Sequence, residues 1–145
     1  PAAASWGPHG MAAPEVLSPG SAGESEVTVR LYRDETDLAR VMDLVDQELS
    51  EPYSIFTYRY FITTWPGLCF MAEAEGRCVG VVVGKLDRHR ESLMRGYVAM
   101  LVVDKPFRKR QLGTALVRRE LQAMADGGAE EVVLEAEGVN LGALR

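Results

Sequence analysis

Residues 103–119 read VDKPFRKRQLGTALVRR, a segment in which a short basic turn separates two apolar stretches. An apolar run ends where this segment begins, and apolar residues resume at helical spacing from Leu112. This pattern predicts a strand, a turn and a helix that begins near Gln111. Two glycines end the helical pattern at residues 127–128, and a further apolar run over residues 131–136 predicts another strand. The segment is therefore the centre of a strand-helix-strand unit.

Alternating and helical apolar patterns predict the elements on either side of this unit. Asp34 precedes the first helical pattern as a predicted N-cap, and residues 87–90, which include His89, are predicted as a polar surface loop. A hairpin meander followed by a strand-helix-strand unit implies a mixed sheet with helices on both faces, which is an α/β fold. Strands are predicted over residues 27–31, 68–74, 78–86, 97–103 and 131–136, and helices over residues 38–49, 55–62 and 112–124.

The composition is typical of a globular protein with one core. The chain has 145 residues, of which 26% are charged and 47% are apolar. Residues 1–26 are rich in Ala, Ser, Gly and Pro, contain no Lys or Arg and show no periodicity. We interpret them as a disordered tail and residues 27–145 as the folded domain.

Charge, hydropathy and cysteine content argue against several classes of protein. The net charge of −5 argues against direct binding to nucleic acid, and no apolar run reaches the roughly 18 residues of a membrane-spanning helix. Cys69 and Cys78 do not make a disulfide framework, so we expect two buried, inert thiols in a reducing compartment, the cytoplasm. No cluster of His, Cys or acidic residues has the spacing of a metal site.

The basic turn also predicts a binding site. A helix N-terminus carries partial positive charge and unpaired N–H groups, so a basic turn before it is a natural site for a pyrophosphate. Gly113 costs the helix about 1 kcal/mol relative to Ala, which a close ligand approach would explain, and Thr114 adds a hydroxyl donor. A solvated surface segment without a ligand is the alternative interpretation, and the spacing matches neither a P-loop nor a dinucleotide fingerprint. Six cations and no acid lie in the 15 residues after Asp104, namely Lys105, Arg108, Lys109, Arg110, Arg118 and Arg119.

Residues 108–114, RKRQLGT, resemble the acetyl-CoA signature R/Q-x-x-G-x-G/A of the GNAT family of N-acetyltransferases. Gln111 stands at the first glycine position of that signature, where its Cβ narrows the space beside the pyrophosphate. The resemblance implies a GNAT fold that binds acetyl-CoA and uses no metal. It also implies cofactor contacts from the strand before the turn, from the turn itself and from a residue after the last strand: Leu101, Val102, Val103, Arg108, Lys109, Arg110, Gln111, Leu112, Gly113, Thr114 and Asn140.

Residues 49–65 read LSEPYSIFTYRYFITTW, a loop broken by proline and followed by an aromatic segment that is predicted to be helical. Packing in the core and at its rim would account for the aromatic residues, and capture of an apolar peptide end is the other interpretation. The segment closely resembles the SEPYSIYTYRYF stretch of NatC-type catalytic subunits, as do residues 95–101 (RGYVAML) and 132–137 (VVLEAE) with their own counterparts. The resemblance implies a peptide site formed by Leu49, Glu51, Pro52 and Tyr53.

This second resemblance implies a specific activity. NatC-type enzymes transfer acetyl from acetyl-CoA to the α-amino group of nascent polypeptides that begin with Met and a bulky apolar residue, at the ribosome and with auxiliary subunits. Glu135 matches the glutamate proposed as the general base, and Tyr97 matches a tyrosine used in catalysis by related enzymes. An α-amino group has a pKa near 7.7–8.0, so a base must take its proton at pH 7. Strand packing for Tyr97, and a strand exit for Glu137, are the alternative interpretations.

The family's pattern continues past Arg145, the last residue of this sequence. A Tyr-Glu-x-x-Gly-Phe segment and two more strands follow in the family, so we expect the domain over residues 27–145 to be incomplete at its C-terminus. Two other functions stay open from the sequence: a GNAT enzyme that acetylates lysine or a small amine, and a non-catalytic acyl-CoA-binding or subunit-interaction module. Gln111 at the glycine position and the missing C-terminal part of the family's pattern favour the module.

Overall fold

The computed structural model describes residues 13–17, 25–51, 53–90 and 93–137, with side chains as far as residue 134. Its elements in chain order are β1 (Glu15–Leu17), β2 (Val27–Leu31), α1 (Glu35–Glu48), α2 (Ile55–Thr64), β3 (Cys69–Ala74), β4 (Arg77–His89), β5 (Leu93–Val103), α3 (Leu112–Asp126) and β6 (Glu131–Glu137), with 3₁₀ turns at Pro66–Leu68 and Lys105–Phe107. The strands form one sheet in sequence order. Every neighbouring pair is antiparallel except β5 and β6, which are parallel. The predicted mixed sheet and α/β fold are confirmed.

Local sequence explains where α1 and the first hairpin begin. The Asp34 carboxylate accepts hydrogen bonds from the backbone N–H groups of Thr36 (3.0 Å) and Asp37 (3.3 Å), which confirms the predicted N-cap. Glu75 and Gly76 both have positive φ angles, 53° and 78°, as a tight two-residue hairpin turn between β3 and β4 requires.

Helices cover both faces of the sheet, as the sequence predicts. On one face, Val41 and Val45 of α1 and Tyr58 of α2 pack against a cluster that includes Met71 and Val81. The other face is covered by α3, which packs on a second cluster built from Leu112, Leu116 and Met124 with Phe70, Val82 and Leu101. Two separate apolar layers therefore enclose a central sheet.

Glycines in β4 bring α3 unusually close to the sheet. A Cβ at Gly84 would lie 2.7 Å from the Glu120 carboxylate and 2.7 Å from the Tyr97 carbonyl oxygen, and a Cβ at Gly80 would lie 2.9 Å from Leu116. Any side chain at Gly84 would therefore force the ends of the Glu120 and Met124 side chains, or the backbone of β5 at Tyr97, to shift. Because the N-terminus of α3 follows the basic turn, the depth at which this helix packs also sets the position of the turn.

A buried ion cluster joins β2, α1 and β3. The Arg30 guanidinium donates to both carboxylate oxygens of Asp37, at 2.8 Å each, and to both oxygens of Glu73, at 3.0 Å each. Asp37 also accepts the backbone N–H of Arg33 at 2.9 Å. The Arg30 hydrogen bonds lower the pKa of Asp37 to about 2, so the carboxylate stays charged although its side chain is only 1% exposed.

The prediction that residues 1–26 form a disordered tail is wrong at residues 15–17. These residues form β1, which pairs with β2 and places Glu15 opposite Val29. The Glu15 carboxylate lies 3.1 Å from Arg118 and 3.6 Å from Arg119 of α3. Three residues are too few to show a strand period, and ion pairs to residues more than 100 positions away have no local signal. The remainder of the predicted tail at residues 1–12 and 18–24 lies outside the described residues.

The predicted loop at residues 87–90 is also wrong in part. Asp87, Arg88 and His89 belong to β4, and His89 pairs with Leu93 at the start of β5. The polar sequence is compatible with a strand because ladder hydrogen bonds use backbone groups, and this end of the hairpin is largely exposed. His89 is half-buried at the end of a strand and is not a loop residue.

The two cysteines are free and buried, as predicted. Burial raises the pKa of the Cys78 thiol to about 12 and that of the Cys69 thiol well above its usual value. Both therefore stay protonated near neutral pH. Among the described helices, none has the length and apolar character needed to span a bilayer.

Candidate functional site

The basic turn, residues 108–111, has the backbone shape of a ligand loop. Lys109 and Gln111 both adopt left-handed conformations, with φ angles of 67° and 60°. The first intrahelical hydrogen bond of α3 runs from the N–H of Ala115 to the carbonyl of Gln111 at 3.0 Å, and the Gln111 side chain does not cap the helix. The backbone N–H groups before that bond have no acceptor within the helix, which makes a helix N-terminus suited to an anion.

The conformation of Gln111 explains why glycine suits this position of the signature. A left-handed residue with a Cβ costs roughly 1–2 kcal/mol, and glycine avoids this cost. We expect Gln111→Gly to raise the unfolding midpoint through relief of this strain. We also expect it to tighten acetyl-CoA binding by up to about fivefold, roughly 1 kcal/mol, through clearance of space beside the turn. Calorimetric titration and thermal unfolding measure the two effects.

Gln111→Asn is the matched control, because asparagine tolerates the left-handed region but keeps a side chain. It should recover part of the stability and little of the affinity. Weaker cofactor binding by Gln111→Gly would show that the glutamine contributes a contact of its own.

A pocket of about 370 Å³ opens between β1 and the first turns of α3. The Arg110 guanidinium lies 5.0 Å from the centre of the Phe107 ring and donates to the carbonyl of Ser25 at 2.6 Å, which fixes its position at the rim. Lys109, Arg110 and the N-terminal end of a helix make this pocket suited to a phosphate, whereas the third cation, Arg118, is paired with Glu15. Its lining residues are Val16, Leu17, Lys109, Arg110, Gln111, Thr114, Ala115 and Arg118.

Arg108 faces a different direction from the other cations of the turn. Its Nε donates to the Val103 carbonyl at 3.1 Å, and its guanidinium also binds the Glu48 carboxylate of α1 at 3.0 Å. Arg108, a predicted cofactor ligand, therefore connects the turn to α1. The other predicted contacts at Leu101, Val102, Val103, Leu112 and Gly113 are buried, so a cofactor would meet their backbone and not their side chains.

The centre of β5 contains a bulge that sequence reasoning missed. Val98 pairs with Gly84 while Met100 pairs with Val83, so Ala99 is left out of the ladder with β4. It is also left out on the other side, where the register with β6 shifts between Val98 and Met100. Bulges interrupt strand pairing and are frequent beside active sites. The run RGYVAML carries no signal for it, because a bulge is set by the register with neighbouring strands.

The predicted catalytic residues lie next to this bulge. Tyr97 is two residues before Ala99, is half-buried, and its ring centre lies 5.6 Å from the Lys85 ammonium. On β6, Leu134 pairs with Val98 and Glu137 pairs with Met100, so the backbone of Glu135 runs beside the interrupted segment. The side chain of Glu135 and all of Asn140 lie outside the described residues.

Glu120 is a second feature that the sequence analysis missed. It is fully buried on α3 against Gly84, and neither carboxylate oxygen has a hydrogen-bond partner among the described residues. Burial raises the pKa of Glu120 well above its usual value, which favours the neutral acid. Its position one helical turn after Leu116 on an apolar face was the available signal.

The predicted peptide loop follows directly from the end of α1. The N–H of Leu49 donates to Val45 at 2.8 Å and ends the helix, and the Tyr53 ring meets the buried Tyr58 edge-to-face at 6.1 Å. Glu51 is exposed, and Pro52 lies outside the described residues. The loop is close to the basic turn, because Glu48, the last residue of α1, contacts that turn.

The fold and these features define a class of protein. The sequence model of the acetyltransferase (GNAT) family matches residues 38–145. The chain therefore belongs to the GNAT acetyltransferases and, as the following relatives show, to their N-alpha-acetyltransferase branch. It is 55% identical over 121 residues to the N-alpha-acetyltransferase MAK3 of Arabidopsis thaliana, covering 83% of this chain and 63% of that protein. It is 41% identical to N-alpha-acetyltransferase 30 of Schizosaccharomyces pombe, covering 74% of this chain and 71% of that protein.

A solved structure agrees with this relationship. The crystal structure of the NatC complex bound to Gag peptide and CoA contains a chain that superposes with a TM-score of 0.72 at 33% identity, over 81% of this chain and 79% of that one. The chain spans 63% of the Arabidopsis relative and only 33% of the human N-alpha-acetyltransferase 30. Within the described residues no group of three or more His, Cys, Asp or Glu side chains is arranged to hold a metal ion.

Proposed function

We propose that this protein transfers acetyl from acetyl-CoA to the α-amino group of polypeptides that begin with Met and a bulky apolar residue. The observation that carries the proposal is the 55% identity to a protein named N-alpha-acetyltransferase MAK3. The neighbouring structure of a NatC complex with CoA and a peptide supports it. Nascent chains, NatC auxiliary subunits and the ribosome are the proposed partners, in the cytoplasm.

In this proposal the basic turn and the bulge bind different parts of the cofactor. Backbone N–H groups of the turn and the cations Lys109 and Arg110 hold the pyrophosphate. Backbone atoms beside Ala99, which the bulge leaves outside both ladders, receive the thioester end. Asn140 is the proposed further contact to the cofactor.

The chemistry is a direct transfer between two bound substrates. Glu135 accepts a proton from the α-ammonium group, directly or through water. The neutral amine attacks the thioester carbonyl carbon, the carbon–sulfur bond breaks, and CoA leaves as a thiolate. The proton that the nitrogen loses as the amide forms converts this thiolate to the thiol. Tyr97 lies beside the reacting carbonyl, and Leu49, Glu51, Pro52 and Tyr53 hold the first two side chains of the peptide.

A comparison of acceptors tests this function in the full-length enzyme. With acetyl-CoA as donor, a peptide that begins with Met-Leu should be acetylated at its α-amino group. An otherwise identical peptide with a blocked N-terminus and a free lysine should not be acetylated. Equal rates on the lysine peptide or on a small amine would favour another GNAT activity, and CoA binding without any transfer would favour a non-catalytic module.

Arg110 provides a test of the cofactor site itself. Arg110→Glu should weaken acetyl-CoA binding about tenfold at low ionic strength, because one charge-assisted contact is replaced by repulsion. The loss should shrink in high salt, where the charges are screened. Calorimetric titration at two salt concentrations measures both effects.

The exposed Arg88 on β4 gives a matched charge reversal far from the turn. Arg88→Glu should leave the affinity unchanged. Arg108 is not suitable for this test, because its reversal would place two carboxylates together at Glu48. Unchanged affinity of the Arg110→Glu protein would remove this arginine from the site.

A further inference from the structure

Two carboxylates connect the end of α1 to the segment that precedes α3. Glu48, the last residue of α1, accepts the backbone N–H of Lys105 at 3.2 Å and the Arg108 guanidinium at 3.0 Å. Asp104, at the end of β5, accepts from the Gln47 side chain at 2.8 Å and from Arg77 at 2.6 Å. Each of the two segments therefore supplies a carboxylate that accepts hydrogen bonds from the other segment.

These contacts are well placed to couple the position of the basic turn to that of the end of α1. Asp104 is 2% exposed, and its own backbone is fixed by hydrogen bonds to Val79 (2.8 Å) and from Phe107 (2.8 Å). Arg108 is held twice, by Glu48 and by the carbonyl of Val103. A change in the position of the basic turn would therefore move the last turn of α1.

The charge of α1 favours this arrangement. Its last four residues read VDQE and contain no cation, although the negative end of the helix dipole lies there. Arg108 supplies the missing positive charge from 60 positions along the chain. The proposed peptide loop begins at the next residue, Leu49.

We propose that Glu48 is a positioning residue that couples the basic turn to the proposed peptide loop, so that bound cofactor raises the affinity for the peptide. The inference rests on the proposed function. Bound cofactor would hold the basic turn in one position, and the contacts of Glu48 with Lys105 and Arg108 would pass that constraint to the end of α1, where the peptide loop begins. Less conformational entropy of the loop is then lost when the peptide binds, which is positive coupling without a new contact. Coupling of this kind is reciprocal, so the peptide must raise the affinity for the cofactor by the same factor.

Calorimetry on the full-length enzyme tests the coupling. The affinity of a Met-Leu peptide is measured without CoA and with saturating CoA, a cofactor form that cannot transfer acetyl. We expect at least a fivefold gain from CoA in the wild type and less than twofold in Glu48→Gln. In kinetic assays the variant should show a higher KM for peptide with kcat nearly unchanged, whereas a general loss of stability would lower active enzyme and kcat.

Asp46→Asn is the matched control, since it removes the same charge from an exposed position two residues earlier in α1. It should keep the wild-type gain. If Glu48→Gln does not fold, Gln47→Ala removes one of the crossing contacts and should reduce the gain in part. A wild-type gain in the folded variant, or no gain in the wild type, would overturn the coupling. In either case, acetylation of the peptide would leave the proposed function intact.

Discussion

Replacement of Glu135 by glutamine is expected to lower the rate of acetyl transfer at pH 7 by roughly 10²–10⁴-fold in the full-length enzyme, the range for loss of a general base. The substitution keeps the shape of the side chain and removes its basicity. Affinity for acetyl-CoA should change little, because the proposed role of this carboxylate concerns the amine. Raising the pH should recover part of the rate, since an α-amino group with a pKa near 7.7–8.0 then loses its proton in solution.

The strand register gives this prediction an internal control. Glu137 lies two residues further along β6 and pairs with Met100, beyond the bulge, whereas the backbone of Glu135 runs beside it. Glu137→Gln should therefore retain most of the activity. The pH–rate profiles of both variants on a Met-Leu peptide decide the matter. Nearly full activity of Glu135→Gln at pH 7 would assign proton removal to another group or to water.

The elements that could be predicted from the sequence are those with local causes. Asp34 is predictable as an N-cap because the capped N–H groups lie two and three residues away. The strand-turn-helix pattern around Gln111 is predictable for the same reason, since apolar spacing changes within a few residues of the turn. Such features depend on neighbours in the sequence, and the fold class follows from their order.

What could not be predicted depends on distant partners. The bulge at Ala99 is set by register with β4 and β6, and β1 is held by ion pairs from Glu15 to α3. The sequence placed Arg108 among cations of one turn, but its partner Glu48 is 60 positions away and redirects its side chain. The left-handed φ of Gln111 does not follow from the glutamine itself. The glycine that the signature has at this position is the one indication of it.

Asp37→Asn is expected to lower the free energy of unfolding by about 3–5 kcal/mol, the usual cost of removing one partner of a buried ion pair. The Arg30 guanidinium, 5% exposed, would lose its two 2.8 Å bonds to a charged oxygen. Glu73 would still neutralise part of its charge, so the loss should lie toward the lower end of this range. Urea unfolding at pH 7 measures the difference, and Glu73→Gln, at a side chain 26% exposed, should cost less.

The pH dependence of stability separates this ion pair from simple packing. Because the pKa of Asp37 is lowered from 3.8 to about 2 in the folded protein, its ionisation stabilises the fold fully above about pH 4. That stabilisation, roughly 2.5 kcal/mol at 1.36 kcal/mol per pKa unit, is lost as the pH falls toward 2. The deficit of Asp37→Asn relative to the wild type should therefore shrink by about this amount between pH 5 and pH 2. A deficit that stays constant with pH would mean that Asp37 stabilises the fold through its shape and hydrogen bonds rather than its charge.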